Sequence, residues 1–193
     1  MPITHKIERE DITILVWKIT EALEELKVLG GNINTDNYTS EKREKEHLIT
    51  LLMLNKIYEN GTITYNEFGA PELDNGKHLS ISHSNELVTI MVSDIKSGID
   101  IEKISEKTLR IASKFASERN LIKLNKEKAT LIWCIKEAIY KWHQKGGVDF
   151  IKDIIITEFL AKKHGKVIAY FRKKELNLNY LKINNHYLVY VCK

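Results

Sequence analysis

Nine glycines and two prolines are all that punctuate a chain of 193 residues, roughly half the ~12% share these residues take in an ordinary domain. Collagen-like, loop-dense and all-β architectures are therefore disfavoured, and helices with longer strands must carry most of the chain. Hydrophobic residues make up 43% and charged residues 29%, the balance of a globular chain and not of a disordered one. One compact unit or two small halves fit this length, and folding should bury roughly 70% of the open chain's surface, a core that needs no staples. Cys134 and Cys192 lack the paired spacing of a zinc site or disulfide framework and read as packing thiols in a reducing compartment. The most apolar windows, 48–54 and 87–92, are far shorter than the ~18 residues of a membrane span. The first eleven residues carry no secretory leader pattern. The expectation is a cytoplasmic protein with no membrane partner. The net charge of +4 favours acidic partners, but the basic clusters at 123–128, 162–166 and 172–174 are short and interrupted. They read as solvated surface, with no nucleic-acid stripe.

Hydrophobic periodicity orders the chain. Residues 11–19 alternate Ile12, Ile14, Val16 against Leu15 and Trp17, a strand covered on both faces. Thr39 and Ser40 can cap a helix whose core positions are Leu48, Leu51, Leu52 and Ile57, with Asn60-Gly61 as its stop. Turn signals at 69–71 and 74–76 precede paired strands at 79–82 and 86–93, and a third strand follows Gly98 at 99–102. The spacing predicts a helix over 105–117 and a longer one over 126–145, ended by Gly146-Gly147. Strand-like segments return at 150–159, 166–171 and 187–192, with turns expected at Gly165 and Asn184-Asn185. This order is α+β, with two similar halves meeting near Gly98.

Three groups of residues can carry chemistry. Asp100 and Glu102, two apart on a strand, point to one side while Ile99 and Ile101 point to the other. Two adjacent carboxylates on a greasy strand need a compensating cation. A hard divalent metal such as Mg²⁺ would serve, although an edge strand facing water satisfies the same spacing. Glu137 and Lys141 stand at i, i+4 on the long helix, compatible with a surface salt bridge or with a metal-ligating base and a phosphate contact. His83 leaves a strand between Ser82 and Ser84 and could meet a phosphate. No second histidine stands at zinc-ligand spacing to it.

Taken in order, Ser82-His83-Ser84, Gly98-Ile99-Asp100-Ile101-Glu102 and Trp133-x-x-Lys136-Glu137-Ala138-x-x-Lys141 resemble the 4′-phosphopantetheinyl transferase superfamily, of the surfactin-synthetase-activating type. Similarity extends through Val16 to Thr20, Arg110 to Leu121 and Val148 to Phe150, nearly the whole chain. The resemblance implies two α/β subdomains related by a pseudo-twofold axis, residues 1–98 and 99–193, with coenzyme A in the cleft between them. It implies a monomeric enzyme of the holo-[acyl-carrier-protein] synthase type, which moves phosphopantetheine onto a serine of an acyl or peptidyl carrier protein and releases adenosine 3′,5′-bisphosphate. Asp100, Glu102 and Glu137 would hold Mg²⁺, Glu137 acting also as base. Lys141 would meet the pyrophosphate and His83 the 3′-phosphate, with Ser82 also among the cofactor-binding residues. Two positions depart from the family. Ala70 stands where it carries a lysine, with Lys77 as substitute, and Leu51 is aligned with its phosphate-binding arginine, with Arg43 or Lys42 as substitute. The alternatives are a weakened relative that binds coenzyme A or a carrier without efficient transfer, and a metal-dependent nuclease. The nuclease lacks the expected lysine two residues after the strand carboxylate, where Ile104 stands.

Overall fold

Strands β1 (Ile3–Arg9) and β2 (Ile12–Lys18) form an antiparallel hairpin in the computed structural model, which describes residues 3–193 apart from 32, 36 and 37. The alternation along β2 does what its pattern predicts. Leu15 and Trp17 pack under helices α1 (Leu23–Gly30) and α2 (Glu41–Ile57), against Leu26, Leu48, Ile49 and Met53. Ile12, Ile14 and Val16 face the other way, into a second core. Strands β3 (Ile63–Tyr65), β4 (Pro71–Leu73), β5 (His78–Ser84) and β6 (Leu87–Ser93) complete a six-stranded sheet in the order β1-β2-β6-β5-β4-β3.

Strand β7 (Ser97–Lys103) opens the second sheet, and short helices α3 (Glu106–Arg110) and α4 (Glu118–Leu121) lead to the long helix α5 (Lys126–His143). Strands β8 (Ile154–Ile156), β9 (His164–Phe171), β10 (Lys174–Ile183) and β11 (His186–Cys192) follow. The order of this sheet is β7-β11-β10-β9-β8. Leaving β1 aside, the two sheets repeat one plan: the first strand pairs with the last, and the others follow in reverse order. The architecture is mixed α+β with two antiparallel sheets. Ile12, Ile14, Val16, Leu87 and Met91 from the first sheet meet Ile99, Ile101, Leu188 and Tyr190 from the second, so the shared core lies between the sheets. Helix α5 covers the outer face of the second sheet through Leu131, Ile135, Ala138 and Trp142.

The elements differ from the sequence reading where tertiary packing decides. The helix expected over 105–117 is broken into α3, a 3-10 turn at Ala112–Lys114 and then α4. Phe115, fully buried, is drawn edge-on against Trp133 with ring centres 5.0 Å apart, which tightens the chain out of α geometry. The strand expected over 150–159 shrinks to β8, because Asp149 caps a turn by accepting the Ile151 and Lys152 N–H groups. Gly165 is no turn. It lies inside β9 opposite Tyr180, whose phenol fills the place a Cβ would take. Strands β1, β3, β4 and β10 and helix α1 carry no strong local signal. The β9–β10 hairpin turns on Arg172 and Lys173, both at positive φ, with no glycine or asparagine to announce it.

Candidate active site

Gly98 fixes where the second sheet meets α5. A Cβ at this position would fall on the Ala138 carbonyl oxygen and within 2.9 Å of Trp142 Cα, so backbone passes directly over backbone. Side chains on the same face of β7 are thereby delivered to the residues of α5 one turn either side of Ala138. Asp100 is 2% exposed, and its Oδ1 accepts hydrogen bonds from Lys141 Nζ at 2.7 Å and from the Ser82 hydroxyl at 2.7 Å. Glu102 accepts from the Trp133 indole at 3.0 Å through one oxygen and from the Ser84 hydroxyl at 3.0 Å through the other. The i, i+4 pair on α5 is therefore no surface salt bridge, and the acidic face of β7 does not look at water.

These groups act on one another electrostatically. Burial first, then the charges of Asp100 and Glu102, push the Glu137 carboxyl up to about 7, against the opposing pull of Lys141. Burial and the Asp100 charge also raise Glu102, opposed by its hydrogen bonds and by Lys141. Asp100 and Glu102, side by side on β7, thus act electrostatically on Glu137 of α5, with Lys141 as the opposing cation.

Serines 80, 82 and 84 line the side of β5 that faces β7. Their hydroxyls accept the N–H groups of Ile99 (2.9 Å), Ile101 (3.2 Å) and Lys103 (3.0 Å), which point away from β11. The free edge of β7 is therefore satisfied by side chains of the other half. Ser82 and Ser84 use the same hydroxyls to donate to Asp100 and Glu102, so the joint between halves and the orientation of the carboxylates are one structure. The sequence reading places Ser82 on the cofactor, whereas here its hydroxyl is occupied by Asp100 and the β7 backbone.

His83 faces the opposite way, toward α2. Arg43 Nη1 lies 2.8 Å from its Nε2, and Glu46 Oε1 lies 3.5 Å from its Nδ1. Burial lowers the His83 pKa, with Arg43 and Lys141 adding to the effect and Glu46 opposing it. Arg43, not Leu51 two turns further on, is the helix residue that reaches this histidine. Lys77 is not brought here: it pairs with Asp94 at 2.6 Å and borders a different groove. A cavity of about 340 Å³ opens beside His83 and Lys141. Tyr65, Phe68, Pro71 and Tyr140 supply its apolar walls, and Lys145 a further cation. Glu46, Lys145, Trp133 and the serine hydroxyls are the features that sequence reasoning passed over or assigned to another task.

Among the described residues, no group of three or more histidine, cysteine, aspartate or glutamate side chains stands together as a ready-made metal cage. The donor set nonetheless suits an oxygen-seeking cation. Asp100 Oδ2 is buried without a hydrogen-bond partner, and Mg²⁺ usually takes one or two protein carboxylates, completing its shell with water and substrate phosphate.

The sequence has counterparts among known proteins. Residues 96–192, the segment from β7 to β11, match the 4′-phosphopantetheinyl transferase superfamily, and the chain belongs to that family. It is also similar to 4′-phosphopantetheinyl transferase gsp of Aneurinibacillus migulanus, with 32% identity over 154 residues. That alignment covers 75% of this chain and 64% of the relative's length.

Proposed function

We propose that the protein transfers the 4′-phosphopantetheine arm of coenzyme A to a serine of an acyl or peptidyl carrier protein, in a Mg²⁺-dependent reaction that releases adenosine 3′,5′-bisphosphate. The observation that carries this reading is the buried Asp100 held by Lys141, with Glu102 and Glu137 coupled to it electrostatically, at the edge of a cavity that Lys141 lines, in a chain of this family. The halves are assigned to residues 1–98 and 99–193, and the protein to the cytoplasm as a monomer. No helix among the described residues is long and apolar enough to cross a membrane.

In this reading the nucleotide lies in the cavity, its base against Tyr65, Phe68 and Tyr140, its 3′-phosphate toward His83 and Arg43, and its pyrophosphate toward Lys141. Asp100, Glu102 and Glu137 are the residues that would hold Mg²⁺. When bound, the metal supplies positive charge to the pyrophosphate and its leaving group. The carrier serine oxygen forms a bond to the phosphorus bearing pantetheine, and the bond from that phosphorus to the bridging oxygen breaks. The bisphosphate leaves with the electron pair. Glu137 takes up the serine proton, directly or through a water. Lys141 stabilises charge that grows on the phosphate oxygens.

Coenzyme A, Mg²⁺ and a panel of apo carrier proteins are the test, read by the mass of one phosphopantetheine added to a carrier. A panel that stays unmodified while a control enzyme labels it refutes transfer. A second reading, binding without efficient transfer, is favoured by Ala70 in place of the family's lysine. Calorimetric binding of coenzyme A with no product under any metal condition would establish it.

A further inference from the structure

Glu46 is 3% exposed, a carboxylate buried against the cations assigned above to a phosphate. Its Oε2 accepts from Arg43 Nη1 at 2.8 Å. Its Oε1 has no hydrogen bond, although Lys42 Nζ lies 3.8 Å and His83 Nδ1 3.5 Å away. The same Arg43 nitrogen lies 2.8 Å from His83 Nε2 and 3.4 Å from its Nδ1, close against the imidazole. Arginine, histidine and glutamate form a closed set in which the carboxylate already occupies the place of an anion. A buried charge cannot move off into water cheaply. The Glu46 side chain, on α2, is buried, whereas those of Arg43 and His83 remain partly exposed and can reach outward.

A phosphate arriving at Arg43 and His83 must share them with this resident anion, and it approaches a second negative charge as it does so. Ala70 adds no cation on the opposite wall, and Lys77 is committed to Asp94. On the 5′ side the resident carboxylate is a different one, Asp100, paired with Lys141 at 2.7 Å, whereas the ion pairs of Glu46 are with Lys42, Arg43 and His83.

We propose that Glu46 is a specificity-determining residue, a built-in carboxylate that competes with the second phosphate of an adenosine nucleotide, so that nucleotides with and without a 3′-phosphate bind about equally. This rests on the assignment of the cavity to the nucleotide of coenzyme A. The substrate class widens accordingly to coenzyme A and its 3′-dephospho form.

Isothermal titration of the full chain with adenosine 3′,5′-bisphosphate and with adenosine 5′-monophosphate tests it without any carrier or turnover. The wild-type affinities should differ by less than tenfold. Glu46→Gln should raise that ratio at least tenfold, equivalent to about 1.4 kcal/mol, through tighter bisphosphate binding with the monophosphate unchanged. A merely structural role for Glu46 would weaken both nucleotides together. A wild-type preference for the bisphosphate of tenfold or more overturns the proposal while leaving the nucleotide site standing. An unchanged or lowered ratio in Glu46→Gln does the same. If neither nucleotide binds, the cavity is no nucleotide site and both readings fall. Should Glu46→Gln fail to fold, the wild-type ratio decides alone.

Discussion

Replacing Ser82 by alanine removes a hydroxyl that works in two directions at the joint between the halves. It accepts the Ile101 N–H at 3.2 Å and donates to Asp100 Oδ1 at 2.7 Å, and both bonds are buried. An orphaned buried N–H costs about 1–3 kcal/mol, and a hydrogen bond to a charged group contributes about 1.5–3 kcal/mol. Because the two share one atom and are not independent, a loss of about 3–4 kcal/mol is expected. Ser80 supplies the internal comparison. Its hydroxyl accepts the Ile99 N–H at 2.9 Å and touches no carboxylate, so Ser80→Ala should lose about 1–2 kcal/mol, the orphaned donor alone. Typical domain stability of about 5–15 kcal/mol leaves both variants folded. Urea unfolding at neutral pH without divalent metal, with unchanged m-values, gives the two losses. Ser82→Ala falling within about 0.5 kcal/mol of Ser80→Ala would show that the Asp100 contact contributes nothing, and with it the claim that the joint orients the carboxylate. A double-mutant cycle of Ser82→Ala with Asp100→Asn should show coupling of about 1 kcal/mol or more.

Gly98→Ala should destabilise by about 3 kcal/mol or more, or shift α5 off β7, because its methyl meets backbone and not a mobile side chain; thermal denaturation and loss of transfer check it together. Lys136, buried at 1% exposure, donates to the Phe150 and Ile154 carbonyls. Lys136→Met keeps the volume but orphans both acceptors, for a loss of about 2–4 kcal/mol and faster hydrogen exchange over 149–154. Glu137 titrates near 7 in the folded chain against 4.5 as its ordinary value, so the folded state binds the extra proton between those values. Metal-free stability should therefore fall as pH rises from about 4.5 to 7, by about 2–3 kcal/mol once partial exposure is discounted, and Glu137→Gln should flatten that slope in urea titrations across pH. Lys141→Ala should cut transfer strongly, because the cation against Asp100 and the phosphates disappears; turnover within twofold of wild type would remove Lys141 from the site.

Much of the frame was legible because some segments carry their own pattern. Residues 12–17 alternate two buried sets, so their strand and its double coverage could be read directly. The α5 helix was legible through its helical spacing and the Gly146-Gly147 that follow it; in the structure Asn125 caps it and it stops where Gln144 turns left-handed. The carboxylate pair was legible as far as its side of the strand. What stood opposite was not, since the contact with Lys141 depends on a glycine 43 residues earlier in the chain and on the close backbone approach it permits. Strand β10 was missed because its hairpin turns on arginine and lysine, residues whose positive φ is held by pairing with β9 and not by local preference.

Glu46 shows the same limit from the other side. With Lys42 and Arg43 one turn away, it reads as an exposed helical ion pair, worth little. Burial changes its meaning, and burial comes from the packing of α2 against α1, β2 and β6, a fact of tertiary structure with no local trace. The serines behave alike. Leu79-Ser80-Ile81-Ser82-His83-Ser84 alternates, so its period is visible, but hydroxyls along one face of a strand ordinarily point to water. Here they meet the unpaired edge of β7, because the two sheets share a core and the carboxylate strand is held at its margin. The edge N–H groups require acceptors, side-chain hydroxyls can supply them without continuing the sheet, and their remaining protons turn toward Asp100 and Glu102. One contact therefore closes the sheet edge, joins the halves and aims the acids into the cleft. Change at Ser82 should consequently alter stability and carboxylate geometry together, whereas change at Ser80 alters stability alone.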